Sequence, residues 1–113
     1  MKDYKVKITD EALSDMAQIY DYIAKKLLSP ENAIGQYNRI ATAVLKLSSL
    51  PGRFPVIDVE PWKTQGLRRM LVDNYSVFYI VDGDFVIVTA VLYSASDIEK
   101  RLKRKDFDGT FKI

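Results

Sequence analysis

Gly66-Leu67-Arg68-Arg69-Met70-Leu71-Val72-Asp73-Asn74-Tyr75-Ser76-Val77-Phe78-Tyr79-Ile80-Val81-Asp82-Gly83-Asp84-Phe85-Val86-Ile87-Val88-Thr89-Ala90-Val91-Leu92-Tyr93 reads as three consecutive β-strands. Two polar breaks divide the apolar runs, Asp73-Asn74 and Asp82-Gly83-Asp84. Asp-Gly between β-branched runs is a strong hairpin signal, because glycine accepts the positive φ of a tight turn. Asp73-Asn74 is a weaker form, with asparagine the residue expected to enter the left-handed region. Strands this apolar need cover on at least one face, and the segment before them supplies it.

Tyr4-Lys5-Val6-Lys7-Ile8 alternates and predicts a short strand with one buried face. Thr9 then caps a first helix, over 10–28, with Asp10 and Glu11 in its positive first turn. Leu13, Met16, Tyr20, Ile23 and Leu27 form its apolar stripe, with Asp15 and Asp21 off it. Ser29-Pro30-Glu31 starts a second helix, over 30–50, with Tyr37, Ile40 and Val44 on its inner face. The link is short, so the two helices form an antiparallel hairpin. Residues 51–66 hold three prolines and two glycines and read as a loop, with Trp62, the only tryptophan, as a plug beneath it. Ser96 and Glu99 have capping-box spacing and start a short helix near 97–104. Lys100, Arg101, Lys103, Arg104 and Lys105 crowd its second half. Residues 105–113 are a tail in which Phe107, Phe111 and Ile113 could dock.

The order is therefore strand, two helices, three strands, helix. It implies a single α+β domain over 1–113, with helices on one side of a mainly antiparallel four-stranded sheet and a short C-terminal helix. A chain of 113 residues buries roughly two thirds of its unfolded surface, enough for one core. The net charge of +2 is too mild to imply a nucleic-acid partner by itself. No segment has the ~20 apolar residues of a membrane span, and the N-terminus lacks a signal-peptide run. The chain has no histidine and no cysteine, so the usual neutral-pH base, thiolate catalysis and Cys/His zinc sites are excluded. No phosphate-binding glycine loop or calcium loop is present, and no metal or cofactor is expected.

An ordered set of local features resembles the RelE/ParE superfamily of bacterial type II toxins. These are Thr9-Asp10-Glu11-Ala12-Leu13-Ser14-Asp15, Ile19-Tyr20-Asp21-Tyr22-Ile23-Ala24 and Pro30-Glu31-Asn32-Ala33. They continue with Leu47-Ser48-Ser49-Leu50-Pro51, Gly66-Leu67-Arg68, Asn74 to Val81, and Val91-Leu92-Tyr93 followed by Asp97. The resemblance spans about residues 3–104. It implies a cytoplasmic toxin neutralised by a cognate antitoxin, as in plasmid-stabilisation modules. RelE-like members cut messenger RNA on the ribosome, whereas ParE-like members poison DNA gyrase without chemistry of their own.

The cleaving members resemble one another in a basic residue inside the middle strand. Here Tyr75-Ser76-Val77-Phe78-Tyr79 puts Ser76 in that place. Just after the last strand, where they carry Arg, His or Tyr, this chain has Tyr93-Ser94-Ala95-Ser96. The resemblance thus leaves Arg68, Tyr93 and Lys63 as catalytic candidates, and Arg68, Arg69, Lys100, Arg101, Lys103 and Arg104 as binding candidates. Alternation puts Arg68 and Arg69 on opposite faces of their strand. Three readings follow: a toxin that binds gyrase, a ribosome-dependent endoribonuclease with an atypical site, and a toxin-like fold without toxicity.

Overall fold

The computed structural model describes residues 2–107, with side chains to Arg104. The expected docking of Phe111 and Ile113 lies outside the described residues, as does the side chain of Phe107. Strand β1 (Lys5–Ile8) leads into helix α1 (Asp10–Asp21). Helix α2 (Pro30–Leu45) follows, then a helical turn α3 (Trp62–Gln65). Strands β2 (Arg68–Val72), β3 (Tyr75–Asp82) and β4 (Phe85–Tyr93) precede helix α4 (Ile98–Phe107).

The sheet order is β1-β4-β3-β2. The β2–β3 and β3–β4 pairs are antiparallel hairpins, while β1 runs parallel to β4, from Lys5 opposite Phe85 to Ile8 opposite Val88. The sheet is therefore mixed. The parallel pair arises because the chain returns to β1 only after the helical hairpin and the meander. Both turns have the expected left-handed residue, Gly83 at φ 58° in one and Asp73, rather than Asn74, at φ 53° in the other. Asp73 tolerates this because its carboxylate is fixed by Arg39 and Gln36 of α2, at 2.7 and 3.0 Å.

A bulge interrupts the β3–β4 ladder. Phe78 pairs with Ala90 but Tyr79 with Val88, so Thr89 is an extra residue on β4. It switches the alternation of β4. Val86 and Val88 before it, and Val91 after it, all face the α1–α2 hairpin, where they meet Ala12, Met16, Ile40, Val44, Leu47, Val77 and Tyr79. Ala90 and Leu92 face the other way, where Trp62, Leu67, Phe78 and Leu102 form a second core. Helix α4 and the turn α3 therefore cover the sheet face opposite the hairpin, so the helices are not gathered on one side. Phe78, Ala90 and Leu92 are too apolar to stay wet, and Leu102 supplies their lid.

Helix α1 is rotated from the expected stripe. Ala12, Asp15, Met16 and Ile23 are buried, whereas Leu13 and Leu27 are 44% and 58% exposed. The small Ala12 lets the helix approach β4 closely. Asp15 is drawn inward by a bond described below. After Asp21 the helix widens into a π-turn over Tyr22–Lys26. The second helix ends at Leu45, in a 3-10 turn, earlier than 50. Thr9 caps α1 as expected, its hydroxyl accepting from the Ala12 amide at 3.2 Å. Ser29 makes no side-chain cap. Helix α4 is capped by Asp97, whose carboxylate accepts from the Lys100 amide at 3.2 Å. Ser96 instead donates to the Tyr93 carbonyl, so the helix starts one residue later than its capping-box spacing implies.

The loop 51–66 is more ordered than its prolines suggest. Val56 bridges to Arg68, the Ile57 amide donates to the Leu67 carbonyl at 2.9 Å, and the Arg69 amide donates to the Pro55 carbonyl at 3.1 Å. Trp62 is fully buried, as expected of a plug.

Candidate functional site

Three features converge at the end of the sheet where β3 begins and β4 finishes. The first is a polar chain on the α4 side. The Arg69 guanidinium donates through Nε to the Ser76 hydroxyl at 2.8 Å, and Ser76 lies 2.8 Å from the Ser94 hydroxyl. The Arg69 guanidinium also stands 5.8 Å from the Phe78 ring centroid. Ser76 is fully buried, while Arg69 and Ser94 are half-buried. The bulge at Thr89 makes this chain possible. Without the extra residue the parity of β4 would send Ser94 to the hairpin side.

The second feature is a groove of about 620 Å³ on the hairpin side, lined by Ile19, Tyr22, Leu27, Tyr75, Val91 and Tyr93, with Arg101 of α4 at its border. Tyr75 and Tyr93 meet edge to face, with centroids 5.8 Å apart. Burial pushes the Tyr75 phenol above its ordinary value of 10.0, and Tyr93 and Tyr22 add to the shift. It therefore stays protonated through the neutral range and offers no base. The same cause, burial, raises Tyr79.

The third feature lies at the base of the groove, where Asp15 accepts from the Val91 amide at 3.0 Å. Strand β1 stops opposite Val88, so among the described residues this edge of β4 has no strand partner further on, and a side chain from α1 takes over. Asp15 looked like a surface residue because it sits beside the apolar stripe. Its only sequence signal is a position three residues after the small Ala12.

The other sequence candidates separate. Arg68 and Arg69 do face opposite sides, aligned with Tyr79 and Phe78 respectively. Arg68 is spent on the loop, donating to the Phe54 carbonyl at 2.6 Å and the Gly52 carbonyl at 3.2 Å. Beside it the Tyr79 hydroxyl donates to the Pro51 carbonyl. Lys63, on α3, pairs with Asp58 at 2.9 Å in an exposed bridge. Tyr93 is 47% exposed and borders the groove. Lys100, Lys103 and Arg104 are exposed on α4, and only Arg101 of that cluster lines the groove. The Ser76–Ser94 contact is the feature that strand spacing alone could not reveal, since it needs the bulge. Among the described residues no group of acidic side chains could hold a metal ion.

Comparison with known proteins places this architecture. A search of curated proteins gave no match. Among solved structures, the chain is similar to the chromosomal ParDE system of P. aeruginosa, with a TM-score of 0.69 and 21% identity over 80% of this chain and 95% of that one. It is also similar to the RelBE2 toxin–antitoxin complex of Mycobacterium tuberculosis, with a TM-score of 0.56 and 20% identity over 85% and 97% of the two chains. A mutant of E. coli toxin RelE in the free state has a TM-score of 0.56 at 12% identity, over 90% and 97%. At these identities the likeness is one of fold. The family model for the ParE toxin of the type II toxin–antitoxin system, parDE, matches residues 6–98. With most of its length matched, the chain belongs to the ParE toxin family of type II toxin–antitoxin systems.

Proposed function

We propose that this toxin acts by binding its target, with DNA gyrase as the target, and that a cognate antitoxin neutralises it. The observation that carries the reading is the Arg69–Ser76–Ser94 chain. Attack by a 2′-hydroxyl needs a group to take its proton and cations to stabilise the phosphorane. Serine hydroxyls bring neither charge nor basicity, and the raised Tyr75 phenol takes no proton at neutral pH. Arg68, which could have added charge, is committed to the loop carbonyls on the other face. The endoribonuclease reading has one supporting observation, the Arg69 guanidinium held on the α4 face.

Purified protein added to ribosomes stalled on a defined message is expected to leave the message intact, and to inhibit supercoiling by gyrase. Losing one charge-aimed donor in comparable sites typically lowers rates by about 10²–10³, so weak cleavage at most is expected. Cleavage at rates like those of active family members, abolished by Arg69→Ala, would replace this reading with the enzyme. Neither effect would favour a toxin fold without toxicity.

The antitoxin segment is expected in the groove bordered by Arg101. Ile19, Tyr22, Leu27, Tyr75, Val91 and Tyr93 give it apolar wall, and Tyr22 and Leu27 are 55% and 58% exposed, with Leu28 next to Leu27 in the chain 83% exposed. The cations of α4 favour an acidic segment that orders on contact. Association should slow as salt rises, and by less in Lys100→Gln/Lys103→Gln/Arg104→Gln. A rate independent of salt would remove α4 from this role.

A further inference from the structure

We infer that Arg69 and Ser94 form a binding site for a single oxyanion, a phosphate or a carboxylate group, on the α4 face of the sheet. The site adjoins the groove, sharing Asn74 and Tyr93 with it, and the inference holds whether the target is gyrase, the ribosome or neither.

The direction of the hydrogen bonds carries it. Arg69 Nε–H donates to Ser76 Oγ, which occupies one lone pair of that hydroxyl. Ser76 is fully buried, so its own proton must also find an acceptor. Ser94 Oγ, at 2.8 Å, is the acceptor at hand. If Ser94 donated instead, the Ser76 proton would be stranded in the sheet. The chain therefore runs Arg69 to Ser76 to Ser94, and the Ser94 proton is left to point outward. A cation at the head of the chain polarises each hydroxyl in turn, which strengthens Ser94 as a donor.

The rest of Arg69 is available. Its bond to Ser76 is the one side-chain hydrogen bond it makes among the described residues, so its two terminal amino groups remain as donors. Their plane is set by Nε and by the Phe78 ring, which suits fork-like recognition of two oxygens. Arg69 and Ser94 line one small cavity of about 230 Å³, with Leu71, Asn74, Tyr93 and Ala95. Asp73 also borders it, which would repel an anion. Its charge is taken up by Arg39 at 2.7 Å, and that hydrogen bond, with Gln36 adding to it, holds the carboxyl below its ordinary 3.8. The cavity thus offers a fixed guanidinium and a polarised hydroxyl, while the carboxylate at its border, Asp73, is held by Arg39.

The test is a titration of the full chain with inorganic phosphate, and separately with acetate, at constant ionic strength set by chloride. Amide and arginine Nε resonances are followed by NMR. Saturable shifts centred on Arg69 Nε, Ser94 and Ala95 are expected with either anion or both, and which anion saturates tells phosphate from carboxylate. Arg69→Lys keeps the charge but loses the fork, and should weaken binding about tenfold. Ser94→Ala should weaken it about fivefold. Ser76→Ala, which leaves both contacting groups in place, should also weaken it, an effect that simple surface charge would not produce. Lys100→Gln/Lys103→Gln/Arg104→Gln should leave the titration unchanged. Shifts that never saturate, match those of chloride, survive Arg69→Lys and Ser94→Ala, or vanish with the α4 variant would each overturn the site.

Discussion

Trp62→Ala is expected to lower the unfolding free energy by about 3–5 kcal/mol. Trp62 is the largest fully buried side chain and stands at the centre of the second core, against Leu67, Phe78, Ala90, Leu92 and Leu102. It begins α3, a helix of four residues, which has no stability of its own at that length. The ring therefore fixes the turn, the loop before it and the seat of α4 together. Its indole Nε1 is buried with no hydrogen-bond partner among the described residues, which offsets part of the burial. Trp62→Phe removes that N–H while keeping an aromatic ring, so it should cost less than half as much. Urea melts followed by circular dichroism measure both. A loss below about 1 kcal/mol for the alanine variant, against the usual range for such truncations, would mean that the loop is held by its backbone bonds to β2 alone.

Asp15→Ala is expected to cost about 1.5–3 kcal/mol, the range for a hydrogen bond to a charged group. The bond to the Val91 amide is buried and closes the one stretch of β4 that β1 does not reach. Truncation leaves a backbone N–H in the interior beside Met16 and the hairpin. Asp15→Asn keeps an acceptor oxygen in the same place and should recover much of the loss. Hydrogen exchange at Val91 gives a local reading, with the alanine variant exchanging faster there than at Val77. Equal protection in both proteins would show that another group satisfies the amide.

The meander was legible because its signals are local. Alternating β-branched residues and an Asp-Gly turn need no knowledge of the rest of the chain. The hairpin of helices was legible in outline, from Thr9, Pro30 and the spacing of Ile23, Ile40 and Val44. Its phase was not. Leu13 outranks Ala12 on any hydrophobicity scale, yet close packing of α1 on β4 favours the small residue inside and turns the leucine to solvent. Asp15 follows from that rotation. The bulge was hidden for a similar reason. Val86 to Leu92 is apolar but for the bulge residue Thr89 itself, so no alternation of polar and apolar residues betrays the change of parity. Arg68 and Arg69 could be assigned to opposite faces, but only the fold tells which one meets the loop carbonyls and which meets Ser76. Of the cations on α4, the sequence distinguishes none, and Arg101 is singled out by the placement of the helix.

The parallel pairing of β1 with β4 has a consequence for how the chain acquires its shape during synthesis. The first strand made must wait for the last, with residues 9–84, about two thirds of the chain, closing as a loop between them. Such non-local contacts are slow to form because the chain entropy is lost before the contact compensates. The α1–α2 hairpin emerges early with its apolar face ready, but the strand that anchors that face, β4, emerges late. A growing chain that stops before Phe85 therefore lacks the strand that both β1 and β3 pair with, and the hairpin has only the β2–β3 pair to cover. Folding competence then arrives in a single late step, when β4 leaves the ribosome, and not by gradual accretion from the N-terminus. Until then the chain exposes the apolar face of the hairpin and the unpaired edge of β3, surfaces of the kind that favour aggregation.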